Sequence, residues 1–267
     1  MEILQFLGET MIDSNYLTKE VENTQVNLLV GGKAKRMNEE IKCLLKINGT
    51  PLIERTLKQY ADCGFKKFNV LAGHGSEEVK NYINTKSNYA NKIDLNLSLD
   101  DPEWKAGGKG KALKQALKNN IIDRNKRSIV AFPDDIFIDD KLPLKLLTVH
   151  LNNIKFYSVT VVTTPGTDYP YGEVKLNPEG RVEGFVEKPF VSKTTSTGLY
   201  AIEPEVYSEI NDLVFLESKT SQEFEKVVLE RLARDGKVSN LTIPPDSWIP
   251  VNTRKEFEIA KLRLEKN

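Results

Sequence analysis

The chain has 267 residues, enough for a large domain with a buried core, and its hydrophobic share of 39% and charged share of 28% are typical of ordinary globular proteins. Lysine and arginine together number 38, and so do aspartate and glutamate together, so the chain has no overall basic charge of the kind that indicates nucleic-acid binding. An anionic ligand would therefore need a local binding site. The two cysteines lack metal-binding spacing. So few thiols exclude a disulfide scaffold and favour a reducing compartment.

Residues 1–25 form an acidic, mildly amphipathic segment ahead of the first strong strand pattern. We expect a helical N-terminal extension that either packs on the domain or mediates an oligomer contact. No apolar run reaches the roughly 18 residues of a membrane helix. Glu2, Glu9 and Asp13 argue against a secretory signal. The sequence therefore predicts a cytoplasmic protein that does not bind membranes.

From Val26 onward, short apolar runs alternate with stretches of helical period. In the first half the pattern predicts strands at 26–30, 67–73 and 128–132, and helices at 50–64, 76–84 (with Ser76 as its N-cap) and 109–120. Strands that alternate with helices are typical of βαβ units and a largely parallel sheet.

The second half is richer in strands. The pattern predicts strands at 156–165, 172–177, 181–187 and 197–204, a hairpin turn at 178–180, and helices at 205–212, 221–235 and 254–266. No linker, low-complexity stretch or internal repeat separates the two halves. We therefore expect one continuous domain over residues 26–267.

A pair of glycines follows the first predicted strand. The backbone at Leu29, Gly31 and Gly32 can approach a phosphate closely, and free N–H groups there can bind an anion. Arg36 and Lys42 add positive charge for a triphosphate, the first as a bidentate fork and the second as a point charge. The alternative is a tight strand-to-helix turn with two solvated cations, since glycine-rich turns are common.

The longer segment is more specific than its glycines. The order GGxxxRM, then a lysine, then INGTPLIE resembles the opening signature of the sugar-phosphate nucleotidyltransferases. In this resemblance Arg36 is the signature arginine and Lys42 matches the lysine of the family's PK step. Ala34 stands in place of the second motif glycine and Ile41 in place of proline.

A second segment, residues 100–113, resembles the part of that family that lies against the nucleobase. Gly108 and Gly110 hold the positions where base and ribose lie against bare backbone. Lys109 and Lys111 either reach phosphate or are solvated lysines at a helix start, and the solvated interpretation is favoured.

The strand at 128–132 runs into Asp134, and an acid at the carboxyl end of a central strand lies where open α/β sheets bind ligands. By the resemblance Asp134 holds Mg²⁺, for which one or two carboxylates with phosphate oxygens and water suffice. The alternative is an aspartate pair that caps a turn.

The motif WIPVNT at 248–253 resembles the step that contributes a second metal-binding aspartate, and its form is most similar to the hexose-1-phosphate cytidylyltransferase branch. Asn252 stands there as a neutral, weaker ligand, or else it caps the helix that follows.

Three further motifs, YGE, EKP and TGLY, resemble the family's steps that bind the sugar phosphate. The resemblance implies that Gly172 offers backbone to the sugar, Glu187 accepts hydrogen bonds from its hydroxyls and Lys188 contacts its phosphate. Thr197 belongs to the last of these steps.

The resemblance covers residues 26–267 and implies a three-layer, Rossmann-like nucleotide-diphospho-sugar transferase fold of the GT-A type, with a mainly parallel mixed sheet. It implies a nucleotide-binding half at about 26–150 and a sugar-phosphate-binding half at about 151–267. The implied activity is Mg²⁺-dependent joining of a nucleoside triphosphate to a sugar 1-phosphate, with release of pyrophosphate.

Several alternatives stay open. One is a glycosyltransferase of the same fold, and another is a non-catalytic nucleotide-sugar-binding homologue, which Ala34 and Asn252 would suit. Phosphocholine is an alternative acceptor. The sequence leaves open the base, the sugar and the oligomeric state, a homo-oligomer included.

Overall fold

The computed structural model describes residues 12–31, 40–104, 106–169 and 171–265. Its helices are α1 (Ser14–Asn23), α2 (Leu52–Asp62), α3 (Ser76–Lys86), α4 (Lys109–Lys118), α5 (Leu142–Asn153), α6 (Val206–Leu213), α7 (Glu230–Arg234) and α8 (Arg254–Leu264). Its strands are β1 (Gln25–Leu29), β2 (Lys46–Ile47), β3 (Thr50–Pro51), β4 (Lys67–Ala72), β5 (Asp94–Leu99), β6 (Ser128–Ala131), β7 (Asp135–Phe137), β8 (Val159–Thr164), β9 (Thr167–Asp168), β10 (Gly172–Leu176), β11 (Val182–Glu187), β12 (Phe190–Val191), β13 (Thr195–Ile202), β14 (Val238–Thr242) and β15 (Trp248–Pro250).

The central sheet has seven strands in the order β14-β8-β13-β6-β1-β4-β5. Strand β13 runs antiparallel to both of its neighbours, and every other adjacent pair in this sheet is parallel. All residues of β1, β6 and β8 are buried, as expected where helices cover both faces of a sheet. The predicted mainly parallel, mixed sheet is confirmed.

Helices pack on both faces of this sheet. On one face, Val26 and Leu28 of β1 belong to a core cluster with buried side chains from α2, α3 and α5. On the other face, Leu29 of β1 belongs to a second cluster with side chains from α4, α6 and α7. The alternation of strand side chains between faces thus produces the three predicted layers.

Helix α1 is held against the domain at its C-terminal end. Asp13 caps its start by accepting hydrogen bonds from the N–H groups of Asn15 and Tyr16, and Val21 is buried in the core. Arg127 binds Glu20 of α1, with a distance of 2.6 Å between Nη1 and Oε2. The division between an extension and a catalytic domain at residue 25 stays a prediction.

Some elements differ from the expectation. Ser76 is the first residue of α3 rather than its cap, because Gly75 precedes it in the left-handed region with φ 71° and no side chain caps the helix. The sequence pattern did not predict β5, α5 or β14. Helix α5 is apolar around most of its circumference, so its pattern lacks the contrast that marks a half-exposed helix.

None of the helices within the described ranges is long and apolar enough to cross a membrane.

Candidate functional site

A cleft of about 360 Å³ opens at the edge of the sheet where β1, β4, β5 and β6 end. Open α/β sheets bind their ligands at this edge, and the volume suits a small molecule. The residues that line the cleft come from nearly the whole length of the chain: Leu29, Val30, Gly31, Lys42, Cys43, Leu71, Asp100, Gly108, Lys109, Ala112, Phe132, Pro133, Asp134, Asp135, Gly198, Glu223 and Asn252.

Three of the predicted site residues meet in this cleft. The Nζ atom of Lys42 lies 3.0 Å from Oδ2 of Asp134 and 3.3 Å from Oδ1 of Asn252. Lys42 begins a short 3-10 turn, Asp134 follows β6, and Asn252 follows β15. The structure therefore places a cation and two oxygen donors from three distant segments at one point.

Pairing between β7 and β15 positions Asn252. The two strands run antiparallel, with Ile249 opposite Ile136, and the N–H of Val251 donates to the carbonyl oxygen of Asp134 at 2.8 Å. Helix α8, which follows, is capped by the side chain of Thr253. The interpretation of Asn252 as a helix cap is therefore wrong, and its amide oxygen is directed toward Lys42 instead.

The donor set fits a hard divalent cation. The oxygens of Asp134 and Asn252 already converge on one positive charge, the ammonium of Lys42. Within the part of the chain that the structure describes, no group of three or more His, Cys, Asp or Glu side chains could hold a metal. A carboxylate and an amide oxygen would leave the other positions of Mg²⁺ to phosphate oxygens and water, as that ion prefers.

Asp135 lies beside this group and was predicted only as the partner of Asp134 in an aspartate pair. Burial, together with the charge of Asp134, raises the pKa of its carboxyl to about 8. It accepts a hydrogen bond of 2.9 Å from Nε1 of Trp248. The indole donor therefore stabilises a carboxyl group that would otherwise be buried without a partner.

The cleft meets the TGLY motif at Gly198, not at Thr197. Gly198 has φ 87°, and a Cβ added there would lie 3.1 Å from Oδ2 of Asp135. Thr197 is buried, and its hydroxyl donates to the carbonyl oxygen of Val162 at 3.0 Å. Thr197 therefore uses its hydroxyl within the sheet, and Gly198 is the residue that the motif contributes to the cleft.

The glycines of the predicted nucleobase segment pack against another part of the backbone. A Cβ on Gly108 or on Gly110 would lie 2.6 Å from backbone atoms of Gln222, and the N–H of Gly110 donates to the carbonyl oxygen of Gln222 at 2.8 Å. Gly108 also lines the cleft, whereas Gly110 is not among its lining residues.

The two lysines that follow these glycines, Lys109 and Lys111, are not simply solvated, so that expectation is wrong. Nζ of Lys109 lies 2.5 Å from Oε1 of Glu225 and 5.1 Å from the ring centroid of Phe132. Lys111 is fully buried, and its ammonium donates to the carbonyl oxygens of Ala106 and Ser218, each at 2.7 Å. Glu225 and Ser218 lie far along the chain from these lysines, so the spacing of residues in the sequence does not reveal either contact.

The structure brings three of the predicted sugar-phosphate residues together at one end of the β10–β11 hairpin. Gly172 pairs with Glu187 across the hairpin, and Nζ of Lys188 lies 3.5 Å from Oε1 of Glu187. Both charged side chains are about half exposed or more, at 60% for Glu187 and 49% for Lys188. None of the three is among the residues that line the cleft.

Two other predicted residues, Gly32 and Arg36, lie outside the described residues. Leu29 and Gly31 line the cleft as expected. A Cβ on Gly31 would lie 2.7 Å from the backbone nitrogen of Gly73, so the ends of β1 and β4 pack too closely for any larger residue.

The comparisons with known sequences agree on one family. The family model described as nucleotidyl transferase matches residues 27–267. The bifunctional protein GlmU of Staphylococcus epidermidis is 25% identical over 247 residues, which cover 89% of this chain and 52% of that protein. GlmU of Bacillus licheniformis is 24% identical over 248 residues, which cover 89% of this chain and 51% of that protein. The chain thus spans about half the length of the curated relatives it matches.

Solved structures share the fold. A Bacillus anthracis protein assigned as a glucose-1-phosphate thymidylyltransferase, in complex with sucrose, has a TM-score of 0.66 at 20% identity and covers 90% of this chain and 94% of its own. HddC from Yersinia pseudotuberculosis has a TM-score of 0.63 at 17% identity, and the match covers 90% of this chain and 99% of HddC. HddC complexed with GMP-PN has a TM-score of 0.62. These likenesses confirm the predicted GT-A type fold.

Proposed function

Because the chain belongs to the nucleotidyl transferase family, we propose that it joins a nucleoside triphosphate to a sugar 1-phosphate and releases pyrophosphate. One observation carries this proposal: Lys42, Asp134 and Asn252 meet in a cleft at the carboxyl edge of the sheet. An ammonium and two metal-binding oxygens are the groups that a polyphosphate with its cation needs. The protein's partners would then be the two substrates, with cytoplasmic location as a further expectation.

In the proposed reaction an oxygen of the sugar 1-phosphate attacks the α-phosphorus of the nucleotide in line. The new P–O bond forms as the bond to the β-phosphate oxygen breaks, and pyrophosphate leaves with the electron pair. Such reactions depend mainly on positioning and on neutralising charge. Asp134 and Asn252 would hold Mg²⁺, which neutralises phosphate charge when bound.

The other residues would bind and orient the two anionic substrates. Lys42 would donate to phosphate oxygens from its place beside Asp134, and the backbone at Gly31 would lie along the nucleotide. By the family resemblance, Arg36 would stabilise the leaving pyrophosphate. Glu187 and Lys188 would bind the sugar and its phosphate from the hairpin, where they already lie side by side.

A pyrophosphate-release assay tests the proposal. The full chain is incubated with Mg²⁺, a panel of nucleoside triphosphates and a panel of sugar 1-phosphates, with phosphocholine as an additional acceptor. Pyrophosphate release that requires both substrates is the expected result. In a parallel incubation with nucleotide sugars, their consumption without pyrophosphate release would instead indicate a glycosyltransferase, and nucleotide binding without turnover in either incubation would indicate a non-catalytic protein.

The hairpin gives a prediction for the sugar side. Glu187→Ala should raise the KM for the sugar phosphate at least about tenfold and leave the KM for the nucleotide nearly unchanged, because the lost carboxylate accepts hydrogen bonds from hydroxyls. Steady-state kinetics with each substrate varied in turn measures both values. Glu183→Ala, an exposed position on the same strand, is the matched control. An equal rise in both constants would mean that Glu187 supports the fold or the metal.

The metal side gives a second prediction. Asn252→Asp should lower the Mg²⁺ concentration for half-maximal rate several-fold, since Mg²⁺ prefers a charged oxygen and Asn252 lies 3.3 Å from the same ammonium as Asp134 does. The wild type should also accept Mn²⁺ readily. Asn84→Asp, exposed on α3, makes the same chemical change elsewhere. An unchanged Mg²⁺ titration for Asn252→Asp would remove Asn252 from the metal site.

A further inference from the structure

The carboxylate of Asp100 occupies a special place in the cleft. Asp100 follows β5, and its N–H donates to the carbonyl oxygen of Ala72 at 2.9 Å, which continues the pairing with β4. Its Oδ2 atom lies 2.6 Å from the position of a Cβ added to Gly73 and 3.7 Å from that of a Cβ added to Gly31. The side chain therefore lies over the ends of β4 and β1, where two glycines leave room for it.

This carboxylate has no protein partner within the described ranges. No hydrogen bond or ion pair joins it to any residue there, although the cleft contains two lysines. Burial raises the pKa of the Asp100 carboxyl to about 6. A half-buried acid without a partner in a ligand cleft is a group that a ligand can satisfy.

The position relative to Asp134 indicates which part of a nucleotide would meet it. Asp134 follows β6, the neighbour of β1, while the Asp100 carboxylate lies over the ends of β1 and β4. Neighbouring strands are about 4.8 Å apart, so the two acids are separated by roughly 5 to 10 Å along the sheet edge. A nucleotide with its phosphates at Asp134 and Lys42 would reach Asp100 with its base.

Hydrogen-bond chemistry then favours some bases over others. An ionised carboxylate only accepts hydrogen bonds, so it needs a base edge that donates. Cytosine and adenine each present an exocyclic amino group, and guanine presents its 2-amino group beside a ring N–H. Uracil and thymine present a single ring N–H flanked on both sides by carbonyl oxygens, and these oxygens would face the carboxylate with like partial charge.

We propose that Asp100 selects a nucleoside triphosphate whose base carries an exocyclic amino group, and rejects uracil and thymine. This inference rests on the proposed function, because it requires a nucleotide in the cleft. Guanine is the best match, since its two adjacent donors can bind both carboxylate oxygens at once.

Binding of single nucleotides to the full chain tests this selection. Calorimetry with Mg²⁺ and without sugar phosphate gives the dissociation constants of GTP, CTP, ATP, UTP and dTTP, and of inosine triphosphate, which lacks the 2-amino group. At least one amino-bearing nucleotide should bind about tenfold or more tighter than UTP and dTTP. In Asp100→Asn, whose amide can donate to a carbonyl oxygen, that ratio should fall below about threefold. Asp101→Asn is the matched control, because its side chain is exposed and, among the described residues, accepts only from the N–H of Glu103 at 2.9 Å.

Several results would overturn the proposal. One is that UTP or dTTP binds as tightly as every amino-bearing nucleotide. Another is that Asp100→Asn leaves the ratio of the dissociation constants unchanged. A third is that Asp101→Asn lowers this ratio as much as Asp100→Asn does. Thermal melting of both variants confirms that they are folded. If no triphosphate binds, the base selection and the proposed function fail together. Base-selective binding without pyrophosphate release in the presence of sugar phosphates would overturn the proposed function alone.

Discussion

Replacing Asp134 with asparagine is expected to lower Mg²⁺-dependent pyrophosphate release by about 10³-fold or more. The substitution keeps the shape of the side chain and removes its charge, so two neutral amides would be left to bind a hard cation. It also leaves the ammonium of Lys42, now 3.0 Å from the carboxylate, without its charged partner. Single-turnover kinetics and a calorimetric Mg²⁺ titration in the presence of nucleotide measure both effects.

The matched control for this change is Asp62→Asn. Asp62 is the exposed partner of Lys58 on α2, so the same substitution disrupts the same kind of ion pair outside the cleft. Its turnover should stay within about twofold of the wild type, because exposed ion pairs contribute little. If Asp134→Asn retained more than a tenth of the wild-type rate, Asp134 would not be the metal-binding acid.

The second large effect is expected at Lys42. Lys42→Met should lower kcat by about 10²-fold, since the methionine fills a similar volume but donates no hydrogen bond to a phosphate oxygen. The affinity for Mg²⁺ should not fall, because the lysine now holds both of the oxygens proposed to bind the metal, at 3.0 and 3.3 Å, and its removal releases them. A fall in kcat without a fall in Mg²⁺ affinity is the result that a purely structural role would not produce.

Lys58→Met on α2 serves as the control for Lys42, as Asp62 does for Asp134. Near-normal kcat in Lys42→Met would reduce Lys42 to a counter-ion of Asp134. A parallel loss of kcat and Mg²⁺ affinity would mean that it organises the metal-binding oxygens instead. The expectation for Arg36, which the family resemblance pairs with Lys42, is a similar loss of turnover in Arg36→Ala.

The sequence was most informative where function and local structure depend on the same short segment. Asp134 and Gly31 each follow a buried strand, and the end of a parallel strand is also the edge where ligands bind, so their places in the cleft could be predicted. Lys42 and Asn252 were placed by motif resemblance alone. No local rule predicts that residues 210 positions apart should share a hydrogen bond.

The sequence was least informative where a residue's partner lies far along the chain. Lys111 is buried because the carbonyl oxygen of Ser218 accepts from it, and Gly110 is required by the backbone of Gln222. Spacing along the chain cannot reveal such contacts, because they depend on how helices pack onto the sheet. Asp100 was recognised as part of the predicted nucleobase segment, but its lack of a partner is visible only in three dimensions.

The three residues at the centre of the cleft also set an order of assembly during synthesis. Lys42 and Asp134 are 92 positions apart, while Lys42 and Asn252 are 210 apart. At about 5 to 20 residues per second, a ribosome needs about 10 to 40 s to extend the chain from the lysine to the asparagine. Asp134 is made before Asn252, so Lys42 can pair with Asp134 before the asparagine exists. Asn252 joins this pair only when β15 docks on β7, so a nascent chain that has not reached this step lacks one of the two oxygens proposed to bind the metal.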